Sequence, residues 1–270
     1  MKSARRSDLT TDGEAAADSP FGDSGLDWLH EQGLLVELGE AVRGGKEATV
    51  YRATGKDGST LAAKVYSDPE VGFRPGEVYL NGRYIPDRRI RKLLGSARRR
   101  GMDPLLAEWV YHEYRMLWRL HEGGIRGPLP AVGPEPRELV MAGRVVLMEW
   151  IGDDEPAPRL SDVNLEEGAA REAWSAAKAL LLRLLELGLV HGDLSAYNIL
   201  WWRDELVLID VPQTVEIEHN RHAGELLERD VRSLVGSFRQ FGIEESPELL
   251  NLEIRQAAGF PPSGPLERLH

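Results

Sequence analysis

The sequence has 270 residues, enough for one two-lobed domain or two small ones. It has no cysteine, which excludes disulfides and thiolate metal sites, and no apolar run nears the ~20 residues that a membrane helix needs. A net charge of −11 excludes a protein that coats nucleic acid indiscriminately, yet Arg83, Arg88, Arg89, Arg91, Lys92, Arg98, Arg99 and Arg100 form one basic stretch opposed only by Asp87.

Residues 1–22 are polar, rich in Ala, Ser, Asp and Gly, and without periodicity, which predicts a disordered tail with ordered structure starting near Leu26. The amino terminus carries Lys and Arg but no apolar stretch behind them, so no signal peptide is visible and a cytoplasmic location is expected. Three strands are predicted next, over Leu34–Leu38, Thr49–Ala53 and Leu61–Tyr66, with a turn at Lys56-Asp57-Gly58. A Gly- and Arg-rich segment occupies 67–101. Asp103-Pro104 then opens a helix, with Asp as the cap and Pro in the first turn. Its apolar face runs Leu106, Val110, Leu117, Leu120. Val145–Ile151 is a further strand, followed by the Pro-rich connection 155–158. Ala173, Trp174, Ala177, Leu180, Leu181, Leu184 and Leu185 give a helical stripe that ends at Gly188. Ile199–Trp202 and Leu206–Ile209 form an apolar hairpin around Arg203-Asp204-Glu205. The order predicts an α+β, bilobal fold: a small β-rich lobe over about 23–150 and a mainly helical lobe over about 151–270, with a nucleotide cleft between them.

The chemistry concentrates around that hairpin. Asp193 is followed five residues later by Asn198, and twelve residues after that by Asp210. Kinase-like enzymes use this order for a catalytic Asp and two magnesium ligands. Phosphoryl transfer needs a carboxylate beside the attacking oxygen, here Asp193, and hard oxygen ligands for the metal, here Asn198 and Asp210. A lone turn with solvated Asp and Asn is the alternative, which the full spacing and the hairpin disfavour.

Lys64 sits inside Leu61–Tyr66, on the face opposite Ala63 and Val65. By itself it reads as a solvated outer-face lysine. Glu113, however, falls within the apolar stripe of the helix after Asp103, and an unpaired buried charge costs several kcal/mol. Lys64 is its expected partner; a Glu113 reaching solvent at a helix edge is the alternative. A strand Lys held by a helix Glu is how kinases fix a lysine on the nucleotide phosphates. Gly44, Gly45 and Lys46, in the loop after the first strand, would let backbone amides and one charge approach phosphate, though any hairpin may carry Gly-Gly.

These segments resemble the RIO family of atypical protein kinases. His191-Gly-Asp-Leu-Ser-Ala-Tyr-Asn-Ile-Leu200 is similar to its catalytic loop, and Leu208-Ile-Asp-Val-Pro-Gln-Thr-Val-Glu216 to its metal loop. Gly44–Tyr51 resembles its phosphate loop, Ala63-Lys64-Val65-Tyr66 its lysine strand, and Glu113-Tyr-Arg-Met-Leu117 its glutamate helix. Val146–Gly152 resembles the interlobe hinge, which implies that Met148 borders the pocket and that the backbone of Glu149 and Ile151 reaches the adenine edge. The likeness covers about 34–245.

The resemblance implies ATP- and Mg²⁺-dependent transfer to Ser or Thr, autophosphorylation included, with Mn²⁺ as an alternative ion and a protein or ribonucleoprotein acceptor. A second reading is an ATP-driven switch in ribonucleoprotein assembly, with transient phosphate on Asp210. A small-molecule kinase shares the Asp-Asn-Asp order, but Val211-Pro212-Gln213 argues against it. Gly192 stands where many kinases have Arg, and only sixty residues follow Asp210. An ordinary activation segment and peptide-docking helices are therefore not expected. The basic stretch Arg83–Arg100 is either a solvated flank or a contact for RNA. His219 and His222 lack a convincing third metal ligand, so no site is expected there.

Overall fold

Asp23 begins the first helix as an N-cap, its Oδ1 accepting from the amides of Gly25 and Leu26 at 3.0 Å each. The computed structural model describes residues 20–67, 77–80, 85, 87–97 and 102–267. Most of the tail expected over 1–22 lies outside these residues. Phe21 is within them and packs edge-on against His30 of that helix, α1 (Ser24–Glu31).

Strands β1 (Glu37–Gly44), β2 (Ala48–Thr54), β3 (Thr60–Tyr66) and β4 (Val145–Glu149) form an antiparallel sheet in the order β1-β2-β3-β4. The first strand departs from expectation. Leu34 and Leu35 belong to the turn that closes α1, their amides donating to the Leu29 carbonyl, and Leu35 is fully buried. The strand starts at Glu37 and runs through Gly44, residues almost all exposed. It is an edge strand with two register shifts against β2, so neither of its faces carries an apolar alternation. Strand β4 also ends early, at Glu149 rather than Ile151.

Two short helices, α2 (Glu77–Leu80) and α3 (Arg88–Gly95), precede the long helix α4 (Pro104–Glu122). As expected, Asp103 caps α4 through the amides of Leu105 and Leu106. Leu106, Val110, Glu113, Leu117 and Leu120 are all buried. A short α5 (Pro136–Met141) leads into β4.

The second lobe is built on α6 (Glu167–Glu186), whose buried face is the predicted stripe except for a half-exposed Leu180. After it come β5 (Leu189–Val190), the hairpin of β6 (Ile199–Trp202) and β7 (Glu205–Leu208), and β8 (Val215–Glu216), which pairs with β5. Helices α7 (Ala223–Phe238) and α8 (Pro247–Ala257) close the lobe. The hairpin turn has two residues, Arg203 and Asp204, not three: both take positive φ (51° and 61°), and Glu205 already pairs with Trp202. One apolar core runs through both lobes, and a small second cluster of Ile151, Ala157 and Val207 sits under the interlobe connection.

Candidate active site

A cavity of about 700 Å³ opens between the lobes, within the range of nucleotide-sized pockets. Its roof comes from the β1–β2 turn and β3. Its floor comes from Leu200 and Ile209, and its rear from Lys64, Glu113 and Asp210. The cleft thus gathers residues from both ends of the sequence.

Lys64 is the centre of the rear wall. Its Nζ donates to Glu113 Oε1 at 2.7 Å and to Asp210 Oδ1 at 2.8 Å. The second oxygen of Glu113 accepts from the Tyr66 hydroxyl at 2.6 Å. Glu113 is almost wholly buried, and this burial raises its pKa despite the Lys64 charge beside it. Burial would lower the Lys64 pKa, but Asp210 and Glu113 outweigh it and raise it. Asp210 is shifted the other way: the Lys64 charge holds its carboxyl below the usual range. The predicted Lys64–Glu113 pair is formed. Tyr66, the third partner, was not anticipated, since a tyrosine at the end of a strand carries no spacing signal of its own.

The catalytic-loop residues assemble next to this group. Asn198 Nδ2 donates to the Asp193 backbone carbonyl at 2.7 Å and to Asp193 Oδ2 at 3.0 Å. The amide thereby orients the Asp193 side chain. No hydrogen bond to a described residue uses Asn198 Oδ1, the atom suited to a hard cation. Partial dehydration raises the Asp193 pKa, with the Asn198 hydrogen bond opposing. Asp210 takes φ 59°, a left-handed conformation that Asp tolerates better than most side chains and that marks functional sites. Its carboxylate and the Asn198 carbonyl oxygen are the donor types that magnesium takes, so the residues present fit that ion.

Asp230 on α7 supports this loop from beneath. Its carboxylate oxygens accept from the Gly192 amide at 2.7 Å and the Leu194 amide at 2.9 Å, bracketing Asp193. Burial pushes its pKa up to about 7, against the pull of the two amides. Buried His191, whose Nδ1 lies 3.3 Å from the Asp193 amide, is pushed by burial down to about 4. Gly192 has φ 82°, and a Cβ there would lie 2.9 Å from the Gln213 carbonyl. That contact is why no arginine fits this position. Tyr79 of α2 also reaches the loop, its hydroxyl 3.3 Å from the Gly192 carbonyl and accepting from Arg229 at 2.6 Å.

The phosphate-loop residues line the cavity roof, with one correction to their expected use. The Gly45 amide donates to the Ala48 carbonyl at 2.9 Å and closes the turn, so it does not face a ligand. Gly44 ends β1 opposite Thr49, and a Cβ there would meet nothing within 4 Å. The amides of Lys46 and Glu47 make no hydrogen bond to a described residue, and Lys46 adds its charge. Glu47 joins the acidic side of the cleft, its pKa raised by burial and by Asp210.

Met148, Glu149 and Ile151 line the opposite end. Here too the expected roles are narrowed. The Glu149 amide donates to the Leu129 carbonyl at 2.8 Å, and its carboxylate is held by Arg126 through two 2.7 Å bonds. Only its carbonyl remains for a base edge. The Ile151 carbonyl accepts from Ala157, while its amide makes no hydrogen bond to a described residue.

A strand lysine tied to a helix glutamate, facing an Asp-Asn-Asp set across an interlobe cleft, defines a protein-kinase-like site on a protein-kinase-like fold. The RIO domain family model matches residues 49–250, and the chain belongs to the RIO family. It is 33% identical over 225 residues to the RIO-type serine/threonine-protein kinase Rio1 of Haloferax volcanii, covering 82% of this chain and 70% of that one. It is 35% identical over 217 residues to the serine/threonine-protein kinase RIO1 of Caenorhabditis elegans, covering 80% of this chain and 40% of the relative. In fold it is similar to the Rio2 kinase of Chaetomium thermophilum, solved as an ADP/Mg²⁺-phosphoaspartate complex. The TM-score is 0.56 and the identity 21%, over 82% of this chain and 61% of that one. The chain therefore spans 40% of the Caenorhabditis elegans relative and 61% of the Rio2 chain, less than two thirds of each. No helix among the described residues is long and apolar enough to cross a membrane.

Proposed function

We propose that this chain is an ATP-dependent kinase of the RIO type that transfers the γ-phosphoryl group to a Ser or Thr hydroxyl, its own included. The carrying observation is that Lys64, fixed by Glu113 and Asp210, lines the interlobe cavity, while Asp193, fixed by Asn198, stands at its margin, near enough for the Asp210 charge to act on it. In the transfer, the acceptor oxygen forms a bond to the γ-phosphorus while its proton passes to an Asp193 oxygen. The bond from the γ-phosphorus to the β–γ bridging oxygen breaks, and ADP leaves with that electron pair. Lys64 and the Lys46 and Glu47 amides hold the phosphates. Asn198 and Asp210 would hold Mg²⁺, or Mn²⁺ in its place, which neutralises phosphate charge when bound. Met148, the Glu149 carbonyl and the Ile151 amide would receive the adenine. The acceptor is a protein or a ribonucleoprotein, and an ATP-rich cytoplasm is the compartment that fits.

One observation favours a second reading. Asp210 has one oxygen on Lys64, while its side chain is 40% exposed to the cleft. Its other oxygen would bond to the γ-phosphorus as the bond to the β–γ bridging oxygen breaks and ADP takes that electron pair; water would then hydrolyse the aspartyl phosphate to free carboxylate and phosphate, a phosphoaspartate being the species in the Rio2 complex. The protein would then act as an ATP-driven switch.

Incubation with γ-labelled ATP and Mg²⁺ tests both. Acid-stable label on Ser or Thr supports transfer, and hydroxylamine-labile label supports the switch. Folded protein that neither takes up label nor releases phosphate refutes both.

A further inference from the structure

Arg159 lines the cleft but has none of the roles assigned above. Its backbone bridges to Leu200, on the cavity floor, and it directly precedes the short turn Leu160–Asp162. These anchors fix the start of the second lobe and bring the Arg159 side chain into the cavity that also holds Lys64 and Asp210. The residue is half-buried, and its guanidinium makes no hydrogen bond or ion pair with a described residue. Arg126 and Arg144, by contrast, each hold a carboxylate at 2.7 Å or less.

Arg159 shares this part of the cavity with other cations. Arg43 of β1 reaches the same cavity from the other lobe, and its ion pair with Asp162 is long, at 3.8 Å, and half-exposed. Lys46 adds a third positive charge at the roof. Burial, and then the Arg43 charge, both disfavour the charged form of Arg159. Asp162 and then Asp210 pull the other way, but Asp162 is shared with Arg43 and Asp210 is already tied to Lys64. Arg43 and Lys46 from one lobe and Arg159 from the other thus line one cavity, where the Arg159 guanidinium holds no carboxylate of a described residue. A ligand anion would relieve this, and a planar five-donor fork suits the non-bridging oxygens of a phosphate.

We propose that Arg159 is a phosphate-binding residue of the cleft, taking with Arg43 the polyphosphate chain of the nucleotide from the side opposite Lys64. The proposal rests on the reading that the cavity takes Mg-ATP. It adds a contact from the second lobe, so that nucleotide phosphate ties the two lobes together.

Calorimetric titration of the full chain with adenosine, AMP, ADP and ATP, each with Mg²⁺, tests it in the wild type, Arg159→Leu and Arg159→Lys. Charge-assisted hydrogen bonds of this kind predict an affinity loss of about ten- to a hundredfold for ADP and ATP in the Leu variant. Adenosine binding should not change. The Lys variant should recover part of the loss, having charge without the fork. Unchanged ADP and ATP affinity in the Leu variant overturns the proposal, as does an equal loss for adenosine, which would move Arg159 to the base or sugar. Arg159→Gln serves if the Leu variant melts early. A wild type that binds no adenine nucleotide overturns the nucleotide reading itself, whereas a wild type that binds ATP beside an unaffected variant overturns only the role of Arg159.

Discussion

Lys64 and Glu113, 49 residues apart in sequence, meet at 2.7 Å in a part of the cleft that solvent hardly reaches. Breaking a buried ion pair by deleting one partner commonly costs about 3–5 kcal/mol, because the other charge is left uncompensated. Lys64→Met and Glu113→Gln should each cut ATP turnover severely, and the double variant should be little worse than either. A double-mutant cycle on turnover checks this. Additive losses would mean that the two residues act independently.

Asp193→Ala should leave nucleotide affinity nearly intact and reduce transfer by about 10²-fold or more. In the proposed transfer the carboxylate acts on the acceptor, and its tether is to Asn198 rather than to Lys64. Parallel measurement of ATP binding and label transfer separates the effects. Equal losses in both, in a normally folded variant, would contradict the role.

Asp210→Ala should weaken Mg²⁺-dependent ATP binding and abolish turnover, since the Asn198 oxygen cannot supply a carboxylate's charge. It should also leave Lys64 with one partner instead of two. Binding with and without Mg²⁺ is the measurement. Retained metal-dependent turnover sinks the assignment, and loss of a hydroxylamine-labile phosphate in this variant would favour the switch.

Asp230 gives a pH signature. Its folded pKa, about 7, lies above the unfolded value, so between about pH 4 and 7 the folded state holds the extra proton. That contribution to stability is complete at low pH and is lost as pH rises through 7. His191, with a folded pKa of about 4, acts oppositely, losing its contribution as pH falls from about 6.5 to 4. Denaturant unfolding of the wild type and Asp230→Asn across this range isolates the Asp230 part. The two curves should diverge by up to ~1.4 kcal/mol per pH unit. Parallel curves would show that Asp230 keeps an ordinary pKa.

Half of the basic stretch can be located. Arg88, Arg89, Arg91 and Lys92 are exposed on α3, which Ile90 and Leu94 anchor to the core, while Arg83 and Arg98–Arg100 lie outside the described residues. If this face holds RNA, affinity should fall steeply with salt. Changing the four residues of α3 to Gln should flatten the log–log slope by about 0.7 per single-strand phosphate contact removed and spare ATP hydrolysis. A wild type that ignores RNA at low salt ends this reading.

The parts of the site carried by a spacing were legible in the sequence. Asp193, Asn198 and Asp210 are fixed by a loop and a hairpin, and Lys64 and Glu113 by the periods of a strand and a helix. What could not be read depends on distant chain segments. Asp230 lies on an ordinary amphipathic helix, and only folding brings it under Gly192. Strand β1 leaves no trace in the sequence because an exposed edge strand has no apolar face, while Leu34 and Leu35 imitate one. The sequence cannot tell which amides a tight turn uses internally, as the Gly45 amide is used here by the Ala48 carbonyl.

The helix that carries Glu113 is also fastened to the opposite lobe. His112 Nε2 lies 2.7 Å from the Thr214 carbonyl, and Arg115 and Arg119 both reach Glu216 at 3.3 Å. These contacts bolt α4 to the chain just past Asp210. A rotation of α4 that withdrew Glu113 from Lys64 would have to break all three at once. The helix is therefore a strut between the lobes rather than a lever.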